Sequence, residues 1–204
     1  MGIFGKKLQN CKGFTIIELI VVITVIGILA AIVLVAYPNY QRQTRNNERK
    51  NDLTQLATAL NTYAIQKNNY MGQNSGCGYL NGGNGWATFT NPGWYDKSVT
   101  KCLGDAGVLK LPDDILDPSG CRSDSGGICG GFGNPTTTPT TAYMKATCEK
   151  NGKPAIYVMA YLEGEPRKDA EVDVLCDVGS MEFFSPASQK WGTSYGMNYY
   201  VKVL

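Results

Sequence analysis

Hydrophobic residues are concentrated in one run near the start of the chain. From Phe14 to Tyr37 nearly every position is apolar, and Glu18 is the only charged residue. A run of about 20 apolar residues is long enough to cross a bilayer as a helix. No comparable run follows, so the pattern predicts one membrane segment over 14–37 and a soluble remainder.

The residues after this run keep a helical spacing but become polar. Within 38–66, apolar residues recur at intervals of three and four, which places them on one stripe of a helix: Leu53, Leu56, Ala57, Leu60 and Ala64. We therefore expect one long helix, with its first half in the membrane and its second half packed on a soluble domain. Pro38 removes one backbone hydrogen bond and predicts a kink or local unwinding there.

Glycine and cysteine mark the middle of the chain. The 71–141 region holds 15 of the 24 glycines and buries little apolar surface, so it predicts a loop region that disulfides constrain. Its Thr- and Pro-rich end, 134–141, predicts an exposed extended strip, either bare or carrying O-linked sugar.

Alternating apolar positions predict an antiparallel sheet over 142–204. The expected strands are 142–150, 155–162, 172–178 and 197–203. A turn-rich connector at 151–154 indicates a hairpin between the first two. In the second strand the even positions share one face and the odd positions share the other. Three or four strands bury one face against the helical stripe, so the expected fold class is α+β.

The composition argues against several classes of function. The chain has no histidine, which removes the commonest general base and metal ligand. It also shows no recognisable nucleophile, phosphate loop or metal-ligand set, so we expect neither an enzyme nor a cofactor. The net charge of +2 indicates no broad attraction to nucleic acid, although binding through a local basic patch stays open.

The cysteines indicate an oxidising compartment beyond the membrane segment. Cys11 precedes the apolar run, and none of the cysteines has C-x-x-C spacing. The six that follow the run predict up to three disulfides with the pairing left open, and buried free thiols are the alternative. These six are Cys77, Cys102, Cys121, Cys129, Cys148 and Cys176.

One acidic cluster is a candidate metal site. Asp113, Asp114 and Asp117 lie close together, but they lack the alternating ligand spacing of a calcium loop. The sequence therefore favours a solvated loop, with these three as weak calcium candidates.

The start of the apolar run carries the functional signal. An ordinary secretory signal places its small cleavage residue after the apolar core, but here Gly13 comes before it. Cleavage between Gly13 and Phe14 leaves the helix on the mature protein and makes Glu18 its fifth residue. A carboxylate within lipid costs about 2.5–3.5 kcal/mol. We therefore expect Glu18 to pair with the Phe14 amine of a neighbouring copy; the alternatives are snorkelling to the headgroups and stabilisation by the helix dipole.

The segment GFTIIELIVVITVIGILAAIVLVAYPNY resembles the N-terminal segment of type IV pilins and type II secretion pseudopilins. The resemblance covers about residues 6–65. It implies that prepilin peptidase cuts between Gly13 and Phe14 and methylates the new Phe14 amine, and that Glu18 is needed for assembly. Gly27 and Pro38 match places where such helices commonly carry a small residue and a proline. Many pilins have one disulfide near the C-terminus, whereas the six cysteines here begin at Cys77.

The resemblance also implies an organisation and a location. Residues 1–13 are a cytoplasmic leader that is removed, 14–37 the transmembrane and assembly helix, and 38–204 the extracytoplasmic globular domain. The precursor is expected to cross the cytoplasmic membrane once, with its N-terminus in the cytoplasm, before it joins an extracellular filament. The implied partners are other copies of the chain, minor pilins, prepilin peptidase, the inner-membrane assembly platform and lipid before assembly.

A basic cluster after the apolar run weakens the topology signal. Its cations, Arg42, Arg45, Arg49 and Lys50, rival the leader lysines in positive-inside counting. We still expect a cytoplasmic N-terminus, because the cysteines favour the outside. Contact with acidic groups of neighbouring subunits and a solvated helix face are both open for the cluster.

Three functions therefore compete. The leading hypothesis is a type IV pilus filament subunit, and the first alternative is a pseudopilin of a secretion or DNA-uptake machine. The second alternative is an anchored adhesin or binding domain that never polymerises. Its exposed aromatic patch would be drawn from Trp86, Trp94, Tyr95 and Trp191, although aromatic residues are more often buried.

Overall fold

The computed structural model describes residues 14–68, 71, 85–86, 99–109, 143–177 and 190–203. In chain order the elements are α1 (Ile16–Lys67), β1 (Gly85–Trp86), α2 (Val99–Asp105), β2 (Met144–Lys150), β3 (Lys153–Ala160), α3 (Asp169–Val172), α4 (Trp191–Tyr195) and β4 (Tyr199–Lys202). The strands form one antiparallel sheet in the order β1-β2-β3-β4. The α+β class and the long N-terminal helix are confirmed. The described residues divide into two compact units between Gln41 and Arg42.

The first part of α1 is an exposed apolar surface. The helix has 52 residues and continues through Pro38, so the bend expected there stays a prediction. Its apolar stretch is long enough to cross a membrane, and none of that stretch is buried. The large apolar side chains of residues 14–37 are exposed by between 49% at Val25 and 91% at Phe14, which precedes the helix. An apolar surface of this extent requires lipid or another protein surface to cover it.

The later part of α1 packs on the sheet through the stripe that its sequence spacing predicts. All five predicted stripe residues are buried: Leu53, Leu56, Ala57, Leu60 and Ala64. The three leucines form one apolar cluster with Ile156 and Val158 of β3. Burying one aliphatic side chain contributes about 1.5–3 kcal/mol, so these leucines supply much of the attraction between helix and sheet.

A two-residue turn closes the hairpin between β2 and β3. Lys150 pairs with Lys153, which leaves Asn151 and Gly152 as the turn. Both turn residues lie in the left-handed region, with φ of 54° and 67°. Asn-Gly is the preferred sequence for such a turn, because its twist matches that of the strands. The predicted hairpin is confirmed, but β3 begins at Lys153, inside the predicted connector.

The sheet is covered on both faces. Even positions of β3 face α1, whereas Tyr157 and Met159 belong to a second apolar cluster on the other face. That cluster includes Val172 and the fully buried Trp191. The alternation predicted for this strand is confirmed, and the second covering layer is an addition that the sequence analysis did not anticipate.

The strand predicted at 172–178 is wrong over its described residues, 172–177. Asp169–Val172 form the short helix α3, and turns follow it. The buried residues there are Val172, Leu175 and Cys176, spaced as in a helical turn, whereas Val174 is 58% exposed. The Asp173 carboxylate accepts two backbone N–H groups from the start of α4, at 2.7 and 3.1 Å. These contacts hold the segment as a turn beneath α4 rather than as a strand.

The candidate cysteines within the described residues are disulfide-bonded. Cys148 of β2 joins Cys176, with their Cα atoms 5.7 Å apart. Cys102 in α2 also forms a disulfide. Cys77, Cys121 and Cys129 lie outside the described residues.

A polar clasp, formed by Arg45, Asn46, Arg49 and Glu163, lies beside the apolar stripe. The Glu163 carboxylate accepts hydrogen bonds from Arg45 at 2.8 and 2.5 Å and from Arg49 at 2.8 Å. Asn46 exchanges two further bonds with the Glu163 backbone, at 3.0 and 2.9 Å. Arg49 is fully buried, so its charge depends on this carboxylate for compensation.

The clasp changes the interpretation of the basic cluster. Arg45 and Arg49 bind an acidic side chain of their own chain, Glu163. A solvated helix face does not describe Arg49, because it is buried. Glu163 follows β3 and is far away in the sequence, so no local pattern could have identified it as their partner.

Two more buried polar side chains, Tyr143 and Lys145, form hydrogen bonds between the sheet and other parts of the chain. The Tyr143 hydroxyl donates to Asp52 Oδ2 on α1 at 2.6 Å. Lys145 Nζ donates to the Met71 carbonyl at 2.9 Å and to Thr147 Oγ1 at 2.6 Å. Burial lowers the pKa of Lys145 to about 7. Both contacts satisfy polar groups that would otherwise oppose burial of this face.

Tyr143→Phe tests the bond to Asp52. The change leaves a buried carboxylate with one donor fewer, so we expect the free energy of unfolding to fall by about 1–3 kcal/mol. Urea denaturation of the full-length protein in detergent measures it. Tyr200→Phe is the matched control, because the Tyr200 hydroxyl donates to Glu171 at an exposed position, at 3.0 Å. Equal losses in both variants would contradict the importance of the buried bond.

Glu163→Gln tests the clasp through its pH dependence. Hydrogen bonds from Arg45, and then from Arg49, lower the pKa of Glu163 from 4.5 to about 2. A carboxyl group with a lowered folded-state pKa favours folding when ionised, so its contribution is present above pH 4.5 and is lost as the pH falls toward 2. Because Glu163 is 25% exposed, solvent screening limits this contribution to about 1–2 kcal/mol.

The variant should therefore be less stable than the wild type near neutral pH, and the two stabilities should converge on acidification. Acid titration of the unfolding free energy, again in detergent, measures this. Glu171→Gln removes one charge without touching either arginine and controls for the change in net charge. Parallel acid curves for the wild type and Glu163→Gln would show that the clasp does not stabilise the fold.

Candidate functional site

The first turn of α1 contains a reciprocal cap. Thr15 is the last residue before the helix, and Glu18 is the third residue within it. The Glu18 N–H donates to Thr15 Oγ1 at 3.3 Å, while the Thr15 N–H and hydroxyl both donate to Glu18 Oε2 at 2.8 Å. This is a capping box, in which a threonine and a glutamate three residues apart satisfy each other's backbone N–H groups. The T-x-x-E spacing of residues 15–18 is the sequence signal for this box, which is absent from the predictions above.

The capped carboxylate stands in an apolar surface. Phe14, Ile16 and Ile17 around it are exposed by 91%, 77% and 74%. Glu18 is the only charge from Phe14 to Tyr37. The geometry therefore presents one anion, held by donors of its own chain, at the start of a surface that requires an apolar cover. Such an arrangement suits recognition of a cation at one level of that surface.

The predicted processing residues are Gly13 and Phe14, and the predicted helix-kink residues are Gly27 and Pro38. Phe14 begins the described residues and precedes the helix, and Gly13 lies outside them. The predicted cleavage, the methylation and the roles of these residues stay predictions. A side-chain carbon at Gly27 would meet no atom within 4 Å, so this glycine leaves a shallow gap on an exposed face. Pro38 lies within the helix.

The remaining candidates do not form a site within the described residues. Asp113, Asp114 and Asp117 lie outside that part of the chain. Over the described ranges, no three His, Cys, Asp or Glu side chains are grouped so as to hold a metal ion. Of the four aromatic residues of the predicted patch, Trp191 is fully buried and therefore belongs to the core.

The start of the chain matches a known sequence family. Residues 8–34 match the prokaryotic N-terminal methylation motif. This match contains Gly13, Phe14 and Glu18, the three residues on which the assembly prediction depends.

Curated relatives extend the likeness beyond the motif. The chain is 39% identical over 59 residues to the type IV major pilin protein PilA of Myxococcus xanthus, which covers 29% of this chain and 27% of that protein. It is 39% identical over 104 residues to the fimbrial protein EcpC of Eikenella corrodens, with coverage of 51% and 62%. It is 25% identical over 136 residues to the type II secretion system core protein G of Pectobacterium carotovorum subsp. carotovorum, with coverage of 55% and 87%.

The matches cover different shares of the relatives' lengths. The matched part spans 27% of the PilA relative and 62% of the EcpC relative, less than two thirds of either. No solved structure matches the chain. The methylation motif at residues 8–34, the pilin relatives and the secretion relative together show that this chain is similar in sequence to type IV pilins and to a type II secretion pseudopilin.

Proposed function

We propose that this chain is a structural subunit of a type IV pilus filament and that its copies assemble through the first part of α1. One observation carries the proposal. The exposed apolar surface of α1 contains a single acid, and this acid lies within the N-terminal methylation motif. Lipid covers the surface in the lone subunit, and helices of other copies cover it in the filament.

Maturation prepares the pairing of charges. Prepilin peptidase removes residues 1–13 and methylates Phe14, which places a cationic amine a few residues before Glu18. In the filament, Glu18 of one copy pairs with the Phe14 amine of a neighbour. An acid in lipid that lacks a cation is unfavourable, so the pairing favours one axial offset between helices.

The precursor and the assembled subunit occupy different locations. The precursor crosses the cytoplasmic membrane once, with the leader in the cytoplasm and residues 38–204 on the far side. The disulfide between Cys148 and Cys176 supports this orientation, because disulfides persist in oxidising compartments. Minor pilins and the inner-membrane assembly platform then act with other copies of the chain to form the surface pilus.

A pseudopilin is the second candidate. The match to the secretion protein covers 87% of that relative, more than the matches to PilA or EcpC cover of theirs. A pseudopilin would use the same helix in a short assembly of a secretion or DNA-uptake machine. Electron microscopy of the cell surface separates the two, since a pilin is expected in long surface filaments that antibodies to this chain label.

Glu18→Ala tests the assembly role. A charge-assisted hydrogen bond of about 1.5–3 kcal/mol corresponds to roughly a tenfold or greater change in an equilibrium, so we expect surface filaments to be lost or scarce. Filament counts by electron microscopy measure the effect, and immunoblots of membranes measure cleavage and insertion, which should be normal. Glu48→Ala is the matched control, because Glu48 is an exposed acid on α1 beyond the apolar segment. Abundant filaments from Glu18→Ala would refute the proposed role of this acid.

The N-terminus of the mature protein tests the maturation step. We expect mass spectrometry of protein from membranes and filaments to show a chain that begins at methylated Phe14. An intact leader would instead favour an anchored binding domain that never polymerises. Cleavage after the apolar run, which would release a soluble protein, would also be incompatible with the proposal.

A further inference from the structure

The cap at the start of α1 leaves the two oxygens of Glu18 in different situations. Both Thr15 donors bind the same atom, Oε2, at 2.8 Å. Within the described part of the chain, the hydrogen bonds to this carboxylate all end on Oε2. The other oxygen, Oε1, is therefore the one that a group from outside the chain can reach, on a side chain that is exposed.

We propose that Thr15 is a positioning residue for assembly: its N–H and hydroxyl hold Glu18 Oε2 so that Oε1 is presented to the Phe14 amine of a neighbouring copy. The inference rests on the proposed pairing of Glu18 in the filament and names a second residue that the pairing requires. It assigns to Thr15 a role that the pattern of charges along the sequence does not indicate.

The cap acts before assembly as well. A lone carboxylate in lipid has no water to supply hydrogen bonds, and the two Thr15 donors replace part of that hydration. The lone subunit can therefore keep Glu18 in its charged, hydrogen-bonded form until a neighbour arrives. An acid that is already oriented also loses less conformational freedom when it pairs.

Processing preserves the cap. The Thr15 N–H belongs to the peptide bond between Phe14 and Thr15, so cleavage between Gly13 and Phe14 leaves both Thr15 donors in the mature chain. The cleavage adds a cation next to the cap and removes nothing from it. The same contacts therefore serve the precursor and the mature subunit.

Three variants of Thr15 separate orientation of Glu18 from initiation of the helix. Thr15→Val removes the hydroxyl and is a poor N-cap. Thr15→Gly also removes the hydroxyl, but glycine is tolerated at an N-cap about as well as threonine. Thr15→Ser retains both the hydroxyl and the cap. All three are made in the full-length chain in its native host, and the measured quantity is the fraction of the protein found in sheared surface filaments.

We expect this fraction to fall about tenfold or more in Thr15→Val and in Thr15→Gly, because both lose the hydroxyl hydrogen bond to the charged Glu18 carboxylate. Thr15→Ser should restore it to the wild-type value. Normal filaments from Thr15→Gly would show that the hydroxyl contact with Glu18 is not needed and would overturn the proposal. Failure of Thr15→Ser to restore filaments would overturn it as well.

Thr58→Val is the matched control. The Thr58 hydroxyl is exposed on the same helix, beyond the apolar segment, and donates to the Thr54 carbonyl at 2.8 Å. We expect it to leave the filament fraction unchanged; an equal fall would attribute the effect to loss of any hydroxyl from the helix. Cleavage is measured in every variant, and a fall that follows impaired cleavage would assign Thr15 to processing instead.

Glu18→Ala in the same assay distinguishes failure of the proposed function of Glu18 from failure of the proposed role of Thr15. If Glu18→Ala forms normal filaments, the proposed function of Glu18 fails. If Glu18→Ala forms none while Thr15→Val and Thr15→Gly assemble normally, only the role of Thr15 fails.

Discussion

A carboxylate in an apolar environment requires hydrogen-bond donors, and the start of α1 is organised around this requirement. Glu18 is the one acid in a long exposed apolar surface, and Thr15 supplies it with two donors at 2.8 Å. Because these donors occupy only one oxygen, the acid is stabilised without being fully satisfied. The proposed assembly depends on this partial satisfaction: it allows a lone subunit to persist in lipid and leaves an atom for a cation of the next subunit.

The globular part of the chain solves a different problem, which is to hold an amphipathic helix on a sheet in one position. The leucine stripe provides attraction, but apolar contacts are not directional. Directional contacts stand beside it: the clasp on Glu163, and the bond from Tyr143 to Asp52. Hydrogen bonds with fixed geometry restrict sliding or rotation of the helix in a way that the leucines alone do not.

Local sequence determined the elements that depend only on residues close together in the chain. The apolar run at 14–37 specified an exposed helix, because its length and composition suffice for that inference. The spacing of Leu53, Leu56 and Leu60 specified the buried stripe, since residues three and four apart share a helix face. Asn151-Gly152 specified the hairpin, because both residues tolerate the left-handed backbone that a two-residue turn requires. The likeness to the N-terminal methylation motif also lies in the first residues, 8–34.

Tertiary structure decided the features that join distant parts of the chain. Arg49 and Glu163 are 114 residues apart, and no periodic pattern relates them. The sequence at 172–178 alternates like a strand, yet in the described residues 172–177 packing beneath α4 and the disulfide from Cys176 to Cys148 favour the end of α3 followed by turns. Periodicity indicates which side chains of one segment share a face. It does not indicate which other segment packs on that face. Contacts with distant segments, Glu163 for the clasp and α4 for the turn, determined both features.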